Sequence, residues 1–277
     1  MLTPPLSLLS DDLLAFIVKH IAKLDFADKN LKNLSLADRA FTQSCQKYIV
    51  RDLKLWNSRE ISKKLTKLKK ILDDKPLFAN QVRMVELVIS RNESAWLFKD
   101  GTFISILQLL ASSPVPPHEL HLGGRRAIPL IIEDPILVVR QLVQPFFSQT
   151  LTILRLTDCA NVPLPLFLIG PRLREAFLDN VGAADKSYDE YPDNQCSGRE
   201  APPLEILNYR DSHSLVKQMF ALSPRFNIPL ALWSYLRVLT LSPHEKEGMA
   251  CLQPILDAAC NTLEELYLTS IAVGECK

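Results

Sequence analysis

One six-residue pattern constrains this chain more than any other feature. It is an apolar residue, two others, an apolar residue, one other, and a final apolar residue. The pattern occurs as "VRMVEL" (82–87), "LTILRL" (151–156), "LREAFL" (173–178), "LEILNY" (204–209), "LRVLTL" (236–241) and "LEELYL" (263–268), with a weaker copy, "PHELHL", at 117–122. The alternation closing each copy is that of a half-buried strand. Helix-like stretches such as "GTFISILQLLASS" and "CLQPILDAACN" lie between copies. A strand–helix unit of this kind cannot bury both faces alone, so neighbouring units must stack. The copies start at 82, 117, 151, 173, 204, 236 and 263, giving intervals of 35, 34, 22, 31, 32 and 27 residues.

"LTILRLTDC" comes nearest the leucine-rich consensus, because Cys159 stands where that repeat takes Asn or Cys. Pro117, Ala176 and Tyr209 replace the expected leucine in other copies. The expected fold class is therefore α/β: an irregular leucine-rich-repeat solenoid over 51–277, with parallel strands, helices and a broad concave sheet. Outward positions on that sheet, between the inward leucines, are Glu86, His121, Arg155, Phe177, Asn208, Thr240 and Tyr267. Their mixture of charge, amide and aromatic groups suits a protein-binding surface. Against this stands the plainer reading, in which they are solvated and bind nothing. Arg155, Arg210 and Arg237 are candidate phosphate partners should the bound protein be phosphorylated. The polar stretch "GAADKSYDEYPDNQCSGREAPP" (182–203) reads as a loop or insert. The chain ends just after the last strand copy, so the solenoid is expected to lack its C-terminal capping unit.

The first 50 residues follow a different period. Ser10 is placed to cap "DDLLAFIVKHIAKL", with Asp11 and Asp12 at the positive end of the helix. Leu13, Leu14, Ile17 and Ile21 fall at helical spacing. Asp28 is a candidate cap for a second helix, "KNLKNLSL", with Leu31 and Leu34 on one side. "ADRAFTQSCQKYIV" reads as a third, with Phe41, Cys45, Tyr48 and Ile49 inward. Three helices in so short a span make a core too small to stand without packing against something. Next, "RDLKLWN" (51–57) alternates as a strand, and "SREISKKLTKLKKILDDKP" reads as an amphipathic helix. Ser58 would be its cap, Ile61, Leu65, Leu68 and Leu72 its stripe, and Pro76 follows its end. Charge divides along the chain: residues 1–80 carry a net +6 and the remainder a net −5, for +1 overall. So small a total favours neither nucleic acid nor a membrane surface as partner.

The stretch from Leu9 to Cys45 resembles an F-box. That family's pattern runs Leu-Pro-x-acidic-Leu-Leu, reaches Ile three residues on, and then gives a short Leu-x-x-Leu-Ser-Leu helix and a third helix. Leu9, Asp12, Leu13, Leu14, Ile17, Leu31, Leu34, Ser35 and Leu36 match it, and Ser10 stands where proline is usual. "LKKILDDKPLFANQVRMVELVI" is similar to the helix-to-first-strand junction of fungal F-box proteins with leucine-rich repeats. The resemblance implies docking of Leu9, Ser10, Leu13, Leu14, Ile17, Leu31 and Leu34 on the Skp adaptor of a cullin-RING ubiquitin ligase, with the repeats holding a protein substrate. The alternative is a repeat scaffold with no ubiquitin role, whose helices only cap the solenoid.

Enzyme chemistry finds no support. "HELH" (118–121) spaces its histidines i and i+3 in a strand, whereas a zinc helix needs i and i+4. The 8 glycines form no phosphate loop, and no GxSxG elbow occurs. No cofactor or metal is expected. "KKLTKLKK" (63–70) is a basic run whose lysines and leucines divide by helical spacing, which favours a solvated helix face over a phosphate contact. The six cysteines show no CxxC pair and read as reduced and mostly buried, with Cys45 in a core. No secretory signal or membrane span is read, so cytoplasm or nucleus is the expected location.

Overall fold

The computed structural model describes residues 9–24, 26–56, 60–89, 99–124, 130–184, 202–222, 232–242 and 246–269. Three helices come first: α1 (Asp11–Ile21), α2 (Ala27–Ala37) and α3 (Arg39–Arg51). Ser10 caps α1, its hydroxyl accepting from the Leu13 amide at 3.4 Å, with Asp11 and Asp12 in the first turn and Lys19 and His20 in the last. Both ends thus complement the helix dipole. α2 starts differently from the expectation. Its N-cap is Phe26, in the left-handed region at φ 60°, with no side-chain cap, and Asp28 falls inside the first turn. Asp38 separates α2 from α3 and caps the latter, accepting from Ala40 N at 2.9 Å. Leu14, Val18, Leu31, Phe41 and Cys45 form a small core of their own.

α3 runs directly into β1 (Asp52–Trp56). The remaining strands are β2 (Met84–Val88), β3 (Glu119–Gly123), β4 (Leu130–Ile131), β5 (Ile153–Val162), β6 (Glu175–Ala183), β7 (Ile206–Arg210), β8 (Val238–Ser242) and β9 (Glu265–Leu268). All nine join one sheet in the order β1-β2-β3-β5-β6-β7-β8-β9, with β4 paired to β5 off that path, and every pairing is parallel. The α/β class with a parallel sheet is as expected. Each of the seven expected copies yields a strand beginning two residues after the copy starts. β1 belongs to the same series, since Val50, Leu53 and Leu55 repeat the apolar spacing.

The connections explain the uneven intervals. Between β1 and β2 lie α4 (Ile61–Asp74) and a 3₁₀ turn, Pro76–Gln81. Ile61, Leu65 and Leu72 of α4 are buried and Leu68 packs beside them, as the stripe requires. The N-cap of α4 is Glu60, which makes no side-chain cap bond, and not the expected Ser58, which lies outside the described residues. α5 (Gly101–Ala111) joins β2 to β3, with Asp100 capping through bonds from Thr102 N and Phe103 N. The 34-residue interval holds β4 and a helical stretch with a π-type middle, Val138–Val143. The 22-residue interval is short because its described connector is a four-residue 3₁₀ turn, Leu164–Phe167. α6 (His213–Leu222) and α7 (Lys246–Ala259) precede β8 and β9. Most of the expected loop, 185–201, lies outside the described residues.

The register stacks like on like. The first inward row is Leu53, Val85, Leu120, Leu154, Ala176, Leu207, Leu239 and Leu266; the second is Leu55, Leu87, Leu122, Leu156, Leu178, Tyr209, Leu241 and Leu268. Both rows are buried from β2 to β8 in one core with side chains of α4, α5 and α7, while Leu266 and Leu268 on the edge strand β9 are 42% and 53% exposed. The helices therefore cover one face of the sheet and leave the alternating positions on the other.

Three units also turn alike where their strands leave the common register. Asp158, Asn180 and Asp211 all adopt positive φ (50°, 53° and 49°), two residues past the second inward position. Asx side chains tolerate that region by bonding locally. The Asn180 amide donates to the Asp158 carboxylate at 2.8 Å, tying two of these turns together. The next residue is buried in each case: Cys159, Val181 and Ser212. The Cys159 thiol donates to the carbonyls of Leu122 and Thr157, and burial pushes it up to about 12, so it stays a neutral donor. Ser212 donates to Arg210 O at 2.8 Å and accepts from Val181 N at 3.0 Å. The Ser212 hydroxyl thereby satisfies the buried Val181 amide.

Candidate functional site

The seven outward residues expected to hold a substrate form one line. Glu86, His121, Arg155, Phe177, Asn208, Thr240 and Tyr267 pair in succession across β2, β3 and β5–β9, and Lys54 on β1 extends the line. Parallel in-register strands put these side chains about 4.8 Å apart. All seven are half-buried except Tyr267, which is exposed.

The line divides by polarity. Glu86 lies between Lys54 Nζ at 3.6 Å and His121 Nδ1 at 3.5 Å. His121 Nε2 is 3.2 Å from Thr157 Oγ1. Burial holds the imidazole below its ordinary value and Arg155 adds to this, against the opposing pull of Glu86. Arg155 Nε donates to Glu119 Oε1 at 2.6 Å, and its guanidinium stacks 3.9 Å above the Phe177 ring. Such a cation–π contact fixes both partners. Beyond Phe177 the line is uncharged: Asn208, Thr240 and Tyr267, whose hydroxyl donates to Glu265 at 2.6 Å.

The three arginines expected to meet phosphate are already engaged. Arg155 is bound to Glu119, Arg210 forks onto Asp179 through Nε and Nη2, and Arg237 forks onto Glu264 at 2.9 and 2.8 Å. A carboxylate on an adjacent strand, or just before one for Arg237, engages each, so none is an open anion receptor.

The seven expected adaptor-docking residues separate into three groups. Leu14 and Leu31 are buried in the helical core, and Leu9, Ile17 and Leu34 pack against it. Ser10 is the α1 cap. Leu13 alone of the apolar six is exposed, at 51%. Sequence reading did not put its companions in the docking set, although Leu36 was among the residues matching the F-box pattern. Phe16, one turn along α1, is 67% exposed, and Phe26 and Leu36, at the two ends of α2, are 82% and 85% exposed. Phe16 was legible as an aromatic outside the inward stripe. Phe26 combines exposure with a left-handed backbone, a strained arrangement for a bulky residue.

The lysines of α4 are mostly solvated, and Lys69 pairs with Asp73 at 2.6 Å, as a helix face would have it. Cys45, Cys159 and Cys251 are buried and Cys260 is exposed. Among the described residues no helix is long and apolar enough to cross a membrane, and no three His, Cys, Asp or Glu side chains gather into a metal site. Compared with protein-family models, curated proteins and solved structures, the chain matches none.

Proposed function

We propose that the chain is a substrate receptor of a Skp–cullin–F-box ubiquitin ligase, acting in cytoplasm or nucleus without catalysis or cofactor of its own. In this reading α1–α3 are an F-box docking on the Skp subunit, and the sheet with its helices is an irregular leucine-rich-repeat solenoid. The outward line from Glu86 to Tyr267 holds the substrate protein. One observation carries the reading: α3 passes from Arg51 into β1 at Asp52 with no residue between. A module bearing exposed Leu13, Phe16, Phe26 and Leu36 is thus joined rigidly to an uncovered sheet face. A receptor must hold its substrate at a fixed position relative to the conjugating enzyme, and rigid coupling supplies that. Leu14 and Leu31 serve docking indirectly, by holding the helices that present Leu13.

The full chain, co-expressed with a Skp subunit, is expected to co-elute with it in size exclusion. Leu13→Asp with Phe16→Asp should abolish co-elution and leave the thermal melt unchanged. A folded chain that never co-elutes removes the proposal.

A second reading keeps the solenoid and makes the helices its cap. It is favoured by Val50, near the end of α3, which packs against the main core. It expects Leu13→Ala with Ile17→Ala to destabilise the whole chain rather than to abolish binding of one partner.

A further inference from the structure

We propose that a cleft between α3 and the starting edge of the sheet binds a phosphoryl anion. The residue just before each strand forms another row along that edge: Arg51, Arg83, His118, Thr152, Arg174, Glu205, Arg237 and Glu264. The second half of this row neutralises itself. Arg174 pairs with Glu205 at 3.4 Å and Arg237 with Glu264 at 2.8 Å. The first half places two arginines and a histidine side by side. Backbone bonds hold them there, Arg83 N to Arg51 O at 2.8 Å and His118 N to Arg83 O at 3.0 Å. Like charges on adjacent strands repel, so the arrangement costs stability unless something offsets it.

The cleft, of about 510 Å³, opens at this place. Lys47, Tyr48 and Arg51 line it from α3, Gln81 and Arg83 from the approach to β2, and His118 from the approach to β3. Lys47 and Arg51 are one helical turn apart and share a face. Among the described residues no carboxylate lines the cleft. Asp52 reaches Arg51 only at 3.8 Å, and Glu119, beside His118, is taken by Arg155. Arg83 is anchored by the carbonyls of Asn80, Val82 and Val115 at 2.8, 3.4 and 3.2 Å. These bonds fix the guanidinium without cancelling its charge. Burial, Arg83 and Arg51 all push the His118 imidazole down, against Glu119, which marks the positive field there.

Three fixed charges and a neutral imidazole suit a ligand that carries nearly two negative charges and several acceptor oxygens on one group, as a phosphoryl does. A carboxylate would neutralise only one of them. The volume is that of a small-molecule site and leaves room for an organic body against Tyr48. This inference does not depend on ligase docking, since it uses neither the exposed apolar residues of α1 and α2 nor the outward line.

Calorimetric titration of the full chain with phenyl phosphate and with inorganic phosphate, at matched ionic strength in sodium chloride, tests the site. Saturable 1:1 binding is expected, weakened about tenfold or more by Lys47→Gln with Arg51→Gln and unchanged by Arg174→Gln. Both substituted lining residues have solvated side chains, so the fold survives. Arg83→Ala should abolish binding, and the double variant keeps the test decisive if that chain fails to fold. Preference for phenyl phosphate identifies a phosphorylated organic ligand, and equal binding identifies free phosphate at the same site. No saturable heat with either anion, or equal loss from Arg174→Gln, overturns the proposal.

Discussion

The helical module and the sheet bury their apolar residues on different terms. The module closes around five buried side chains and leaves Leu13, Phe16, Phe26 and Leu36 exposed. The sheet repeats two inward positions strand after strand and closes a single core with its helices. A small core surrounded by exposed apolar residues is a marginal fold with surface to offer. A stacked core gains stability from each neighbour and can leave its other face open without loss.

Leu154→Ala is expected to break this comparison from the sheet side. Leu154 is fully buried between Leu120 and Ala176 in the middle of its row. Its truncation should cost about 3–5 kcal/mol, because stacked neighbours on both sides limit how far the cavity can collapse. Urea denaturation followed by circular dichroism measures the loss, and a change below about 1 kcal/mol would mean the row is not close-packed.

Phe41→Ala sharpens the comparison from the module side, with an expected loss of about 3 kcal/mol. Phe41 is 1% exposed. Hydrogen exchange should speed up in α1–α3 while the amides of β3, β5 and β6 stay protected. If the strands lose protection equally, the helices are a cap of the sheet and the second functional reading gains.

The strand copies were legible because inward burial dictates an apolar spacing whatever the connector. Every copy in the series carried its strand at the same offset; the strand at 51–57 was read too, but not as a member of the series, because its first apolar position, Val50, lies in the helix running into it. The Asx turns at Asp158, Asn180 and Asp211 were harder to see, since a positive φ leaves only a preference among residue types. The arginine partners were not legible at all. Glu119 precedes Arg155 by 36 positions and Asp179 precedes Arg210 by 31, so each pair exists only once strand register is fixed. On the helical side, the stripe read on α1 was right for Leu14, Ile17 and Ile21, but Leu13 is exposed and Val18, outside that stripe, is fully buried. Spacing could not show that Leu14 and Leu31 would be consumed by the module's own core rather than by a partner.

The smallest expected effect is one of pH, and it belongs to the sheet. His118 and His121 both lie below the ordinary value of 6.5, chiefly through burial. The unfolded chain therefore takes up protons more readily than the folded one as pH falls through 6.5, and stability rises with pH across that window. Around His118 stand Arg83, Arg51 and Glu119; around His121 stand Glu86, Arg155, Glu119 and Lys54. The two carboxylates temper the effect without reversing it. Thermal melts at pH 7.5 and 5.5 should show the chain less stable at the lower value, and His118→Gln with His121→Gln should narrow the gap. Saturating inorganic phosphate should narrow it too if the cleft is occupied, because an anion beside His118 favours its protonated form. A gap unchanged by the double substitution would place the acid sensitivity elsewhere, and one narrowed by the substitution but not by phosphate would separate the imidazoles from the proposed anion site.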